Sequence, residues 1–121
     1  MKVVLLIEDE PTLQKTLGTA LTQEGYDVKS ATDGETGLHL ARETKPDIIL
    51  LDLILPKMDG FEVLEELKKS ADTKDIPVII LTNLENTQDI EKALGLGATN
   101  YLVKANYDLK GVIEKVKDNI K

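Results

Sequence analysis

Two hydrophobic periods alternate along this chain. Continuously apolar runs stand at residues 3–7, 48–51 and 77–81, with a weaker run at 28–31 and another at 98–103. Between them, apolar residues recur at helical spacing. Leu13, Leu17, Ala20 and Leu21 mark a helix that begins near Pro11, a residue suited to a first turn, and stops at Gly25. Leu38 and Ala41 mark the inward face of a helix over 35–44. Phe61, Val63, Leu64 and Leu67 mark one that follows the loop 56–60 and reaches about Lys69. Ile90, Ala93 and Leu94 mark one that ends at Gly95 and Gly97. Leu109, Val112, Ile113 and Val116 share one face of a last helix over 107–120.

This pattern is five β/α repeats with short links. Strands that are apolar throughout, rather than alternating, are covered on both faces, so the pattern predicts an α/β fold of three layers: a five-stranded parallel sheet between five helices. Right-handed crossovers distribute the helices over both faces. In such open sheets, sites form beyond the carboxyl ends of the strands. Glu8 and Asp9, Asp52, Thr82 and Lys104 all fall at such ends. No linker or low-complexity segment interrupts the pattern, and a single domain, 1–121, is expected.

Composition narrows the classes. The 121 residues suit one domain, large enough to bury about two-thirds of its unfolded surface. There is no Cys, so a thiolate metal site and a disulfide framework are excluded. The net charge of −7 and the single Phe and three Tyr leave neither a basic footprint nor a stacking platform, so no direct nucleic-acid binding is expected. The basic residues are scattered apart from Lys110, Lys115, Lys117 and Lys121 near the C-terminus. No apolar run is long enough for a membrane span, and the first residues turn acidic at Glu8 too soon for a signal peptide. A cytoplasmic location is the default expectation.

The strand-end residues carry the chemistry. Carboxylates packed close repel, and desolvation disfavours their ionised forms. A chain that gathers Glu8, Asp9 and Asp52 has a cation to place there. Mg²⁺, or Mn²⁺, takes carboxylates, a carbonyl and waters, and the backbone carbonyl of Ile54 would complete the set if the loop after Asp52 curls back. Asp52 could attack a phosphoryl group. Lys104 would add a point charge to the same oxygens, and Thr82 a hydroxyl donor. Taken singly, each has a plainer reading: loop acids, a helix-dipole pair before Pro11, a structural Thr, a solvated Lys, a core Tyr101. The coincidence of strand ends favours the chemical one.

The segments Val4–Glu10, Asp47–Gly60, Pro77–Thr82 and Gly97–Lys104 resemble the receiver domain of two-component response regulators, in that family's order and spacing and over the whole chain. The resemblance implies the flavodoxin-like strand order 2-1-3-4-5. It implies that Asp52 accepts a phosphoryl group from a sensor histidine kinase, a phosphotransfer protein or a small phosphodonor. Asp9 would ligate the metal and Glu8 would hold a metal-bound water. Thr82 would turn toward the phosphoryl group, Tyr101 would change rotamer with it, and Lys104 would pair with its oxygens. The fourth helix, fifth strand and fifth helix would form the switching surface, read by a downstream protein of unknown identity. The protein would be a signalling phosphoacceptor rather than an enzyme, a monomer or a phosphorylation-dependent dimer. The chain departs from the family at three places. Ala105 stands where the family commonly has Pro with a cis bond; a cis bond without Pro costs roughly 2.5–4 kcal/mol, so trans is expected. Asn83 replaces a smaller residue. Ile54 offers no polar side chain to position a hydrolytic water, so self-dephosphorylation is expected to be slow.

Two other classes compete. A receiver-like binding module would use the same face without phosphorylation. A phosphohydrolase acting through an aspartyl intermediate would want a second acid where Ile54 stands. A flavin carrier of this topology lacks its phosphate loop, since Glu8-Asp9-Glu10 occupies that position.

Overall fold

The apolar runs become strands and the periodic segments become helices. The computed structural model describes residues 1–120, so Lys121 of the C-terminal basic group lies outside it. The elements are β1 (Val3–Ile7), α1 (Pro11–Gln23), β2 (Asp27–Ala31), α2 (Gly34–Thr44), β3 (Ile48–Leu51), α3 (Gly60–Lys69), β4 (Val78–Thr82), α4 (Thr87–Gly95), β5 (Asn100–Val103) and α5 (Leu109–Asn119). The strands form one parallel sheet in the order β2-β1-β3-β4-β5, as the resemblance implied.

Alternation along buried strands divides the core in two. Leu5 and Ile7 of β1, Ile49 and Leu51 of β3, and Val78 and Ile80 of β4 point to one face, against α2, α3 and Ala93 of α4. Val4 and Leu6, Ile48 and Leu50, and Ile79 and Leu81 point to the other, against Leu17 and Leu21 of α1 and Val112, Ile113 and Val116 of α5. A buried Leu or Ile contributes roughly 1.5–3 kcal/mol, so these strands anchor the domain from both sides. The edge strand β2 is half exposed, which is why its apolar signal is weak.

Short polar residues start the helices. Asp33, Asp59, Asn86 and Asp108 each accept a backbone N–H three residues on, at 2.8–3.1 Å. Glu10 does the same for α1 through Leu13 N–H, at 3.0 Å. Each such cap is worth about 1 kcal/mol.

Two residues assigned to buried stripes are exposed. Leu109 is the first residue of α5, because the chain makes a 3₁₀ turn at Lys104–Asn106 and the helix starts only after its Asp108 cap. Leu94 is exposed because α4 packs through a narrow stripe in which Ala93 alone is fully buried.

Candidate metal centre

Parallel strands end on one edge of the sheet, and the register brings the ends together. Ile7 of β1 lies beside Leu51 of β3, so Glu8 and Asp52 are the next residues of neighbouring strands. Thr82 closes β4, and Lys104 follows Val103, its partner in β5. Asp52 and Glu8 are 4% and 1% exposed, whereas Asp9 faces solvent. One oxygen from each of Glu8, Asp9 and Asp52 lies within 4.8 Å of the other two.

Lys104 is the counter-charge of this cluster. Its Nζ is 2.8 Å from Asp52 Oδ2 and 2.9 Å from Glu8 Oε1. The other Asp52 oxygen, Oδ1, accepts the Ile54 N–H at 3.1 Å. Glu8 Oε2 accepts the Glu10 N–H at 3.0 Å, but Oε1 receives no aligned hydrogen bond despite the nearby ammonium. Burial pushes the Glu8 carboxyl above its usual range; the Lys104 ammonium beside it and the Glu10 N–H oppose this, and the Asp52 charge adds to it. Burial alone would lower Lys104, but the hydrogen bond it donates to Asp52 and the Glu8 carboxylate beside it outweigh this and hold the ammonium above its usual range.

The donor set therefore suits a hard divalent cation. Three carboxylates cluster here, only Glu8 and Asp52 of them contact the one ammonium, and a buried oxygen of Glu8 lacks an aligned donor. Oxygen ligands of this kind are what Mg²⁺ and Mn²⁺ take.

The remaining expected residues surround this cluster. Thr82 is fully buried, and its Oγ1 accepts the Leu84 N–H at 3.5 Å, a long contact. The Tyr101 hydroxyl donates to Leu84 O at 2.8 Å, and burial pushes its phenol up. Leu84, unremarkable in sequence, thus links both residues through its backbone. Ile54 is half exposed and Asn83 exposed. No cis peptide bond occurs among the described residues; Lys104–Ala105 is trans, and Lys104 reaches both carboxylates from its 3₁₀ turn.

Two glycines hold the loop between β3 and α3. Gly34 N–H donates to Pro56 O at 3.2 Å, and a Cβ there would overlap the Met58 carbonyl. A Cβ at Gly60 would overlap the Asp52 carbonyl and Leu53 Cα, while Gly60 N–H donates to Leu53 O at 2.9 Å. Neither role was apparent from spacing, since both depend on contacts between distant turns.

Comparison with known proteins gives the same picture. The model of the response regulator receiver domain matches residues 4–117. The chain is 40% identical over 117 residues to the DNA-binding dual master transcriptional regulator RpaA of Synechocystis, covering 97% of this chain and 48% of RpaA. It thus spans about half the length of that relative. It is 38% identical over 104 residues to Protein PilH of Pseudomonas aeruginosa, covering 86% of each. Among solved structures, the Vibrio cholerae chemotaxis protein CheY4 superposes with a TM-score of 0.91 at 26% identity, over 99% of both chains. The Mn²⁺-bound response regulator Rcp1 superposes with a TM-score of 0.84 at 31% identity, over 98% of this chain and 93% of that one. From its sheet order to its strand-end motifs, the chain belongs to the family of response regulator receiver domains.

Proposed function

We propose that this receiver is a phosphorylation switch whose acceptor is Asp52. The observation that carries the reading is the position of Asp52: buried at the end of β3, with one oxygen on the Ile54 N–H and the other on Lys104 beside two further acids. An Asp52 oxygen attacks the phosphorus of a phosphohistidine on a histidine kinase or phosphotransfer protein, or of a small phosphodonor. The new bond is P–O, the bond to the leaving group breaks, and that group departs with the electron pair. Glu8, Asp9, Asp52 and the Ile54 carbonyl would hold Mg²⁺ or Mn²⁺, which supplies positive charge against the entering oxygens.

The chain's own residues do the rest. Lys104 is already a hydrogen-bond donor to Asp52 and transfers that donation to a phosphoryl oxygen. The Thr82 hydroxyl, held only by a long contact, is free to turn and donate to another. Its turn releases the Leu84 N–H, while Tyr101 holds the Leu84 carbonyl, so the loop from β4 to α4 feels the change at both backbone groups. A gain of nearly two negative charges thereby becomes a surface change at α4, β5 and α5, which a partner protein reads.

A second reading is a protein-binding module that is never phosphorylated. It is favoured by the Ile54 N–H and the Lys104 ammonium, which already satisfy the two Asp52 oxygens. Incubation with a small phosphodonor and Mg²⁺ separates the two readings: a base-labile phosphoryl group on the native protein, absent from Asp52→Asn, supports the switch, and its absence from both supports the module.

A further inference from the structure

After Ile7 the chain turns through Glu8, Asp9 and Glu10 into α1. One side chain outside the acid set holds that turn. The Gln14 Nε2 group donates to Glu8 O at 2.9 Å and to Ala31 O at 3.0 Å. A primary amide nitrogen carries two hydrogens, so both are engaged at the ends of β1 and β2. The Gln14 backbone N–H donates to Glu10 O at 3.0 Å, and Glu8 N–H donates to Ala31 O at 3.0 Å. The half-buried Gln14 thus grips the acidic turn by side chain and backbone together.

The carbonyl that its amide holds belongs to the peptide group joining Glu8 to Asp9. The orientation of that group sets where both carboxylate side chains begin. The donor is also neutral. An Arg or Lys reaching the same carbonyl would bring a second cation beside three clustered carboxylates, two of which already contact Lys104. That charge would oppose a divalent ion, whereas the amide fixes the turn and leaves the negative potential intact.

We propose that Gln14 is a positioning residue for the metal centre, holding the Glu8–Asp9 peptide so that both carboxylates face the position Asp52 also faces. This rests on the reading of Glu8, Asp9 and Asp52 as a cation site. Partners that orient metal ligands from outside the coordination shell typically cost roughly 10–100-fold in affinity when removed.

The test is a Mg²⁺ titration by calorimetry on the full chain, without phosphodonor, for wild type, Gln14→Met and Thr22→Val. Thr22 lies on the same helix, and its hydroxyl donates to Gly18 O at 2.8 Å away from the acids. Urea unfolding in EDTA measures stability in parallel. The expected result is Mg²⁺ affinity weaker by at least about tenfold in Gln14→Met and unchanged in Thr22→Val. Equal affinity in wild type and Gln14→Met overturns the positioning role and leaves the cation site standing. No Mg²⁺ binding by wild type overturns both. If Gln14→Met fails to fold, the native protein decides by NMR: the Gln14 side-chain amide protons should be protected from exchange relative to exposed Gln23 and Gln88, and should shift on Mg²⁺ addition. Exchange as fast as in those residues, or no shift on Mg²⁺ addition, overturns the proposal.

Discussion

Replacing Lys104 by Met isolates the electrostatics of the centre. Lys104 lies 2.8 and 2.9 Å from two carboxylates whose side chains are 5% and 1% exposed, and its own is 16% exposed. At an effective dielectric constant of about 20, each contact is worth roughly 6 kcal/mol of gross Coulomb energy, most of which offsets desolvation. Removing one partner of a buried pair typically costs about 3–5 kcal/mol, because the remaining charge is stranded. The solvent access of Asp9 places this site at the lower end, near about 3 kcal/mol, or roughly 10–15 °C in Tm for a domain of this size. A divalent cation would replace the missing charge. Urea unfolding followed by circular dichroism should therefore show the full loss in EDTA and less than about 1 kcal/mol in saturating MgCl₂. Combining Lys104→Met with Asp52→Asn should recover much of the EDTA loss, since one stranded charge is gone. An equal loss with and without Mg²⁺, or none in EDTA, would refute the claim that Lys104 balances a cation site.

Three further outcomes follow. Phosphorylated wild type should lose its phosphoryl group over minutes or longer, and Ile54→Asn, which offers a polar group to a hydrolytic water, should lose it about tenfold faster, a change of about 1.4 kcal/mol in barrier; a wild-type lifetime of seconds, followed with radiolabelled phosphodonor, contradicts this. Gly34→Ala should destabilise by about 1–3 kcal/mol in chemical denaturation, because the group it would overlap is backbone carbonyl and no side-chain rotation relieves it. Lys45 ends α2 at φ 44°, a left-handed conformation that costs a residue with a Cβ roughly 1–2 kcal/mol. After the extra backbone entropy of Gly, Lys45→Gly should still stabilise by about 0.5 kcal/mol, and a loss of stability would sink the argument.

Fold and site were legible to different depths. The runs at 3–7, 48–51 and 77–81 gave a buried parallel sheet because only two-sided cover tolerates such sequences, and the structure has that sheet. The strand-end rule brought Glu8, Asp9, Asp52, Thr82 and Lys104 into one list, and they lie along one edge. What stayed hidden acts through the backbone or at element ends. Leu84 joins Thr82 to Tyr101 through its N–H and C=O, which any residue there would offer. Gln14 sits one position from the apolar stripe of α1, where a polar residue reads as solvent-facing. Leu109 has the spacing of a core residue, but spacing cannot reveal that the helix begins there. The 3₁₀ turn after Lys104 likewise has no periodicity to show.

The central claim is that Asp52 carries the phosphoryl group in a cation-dependent site. Intact-protein mass spectrometry after a pulse of small phosphodonor tests it most directly, on wild type with Mg²⁺, on wild type with EDTA and on Asp52→Asn with Mg²⁺. The account predicts a mass gain of one phosphoryl group, lost on mild base treatment, in the first sample alone. The same gain on Asp52→Asn, or undiminished gain in EDTA, would contradict it.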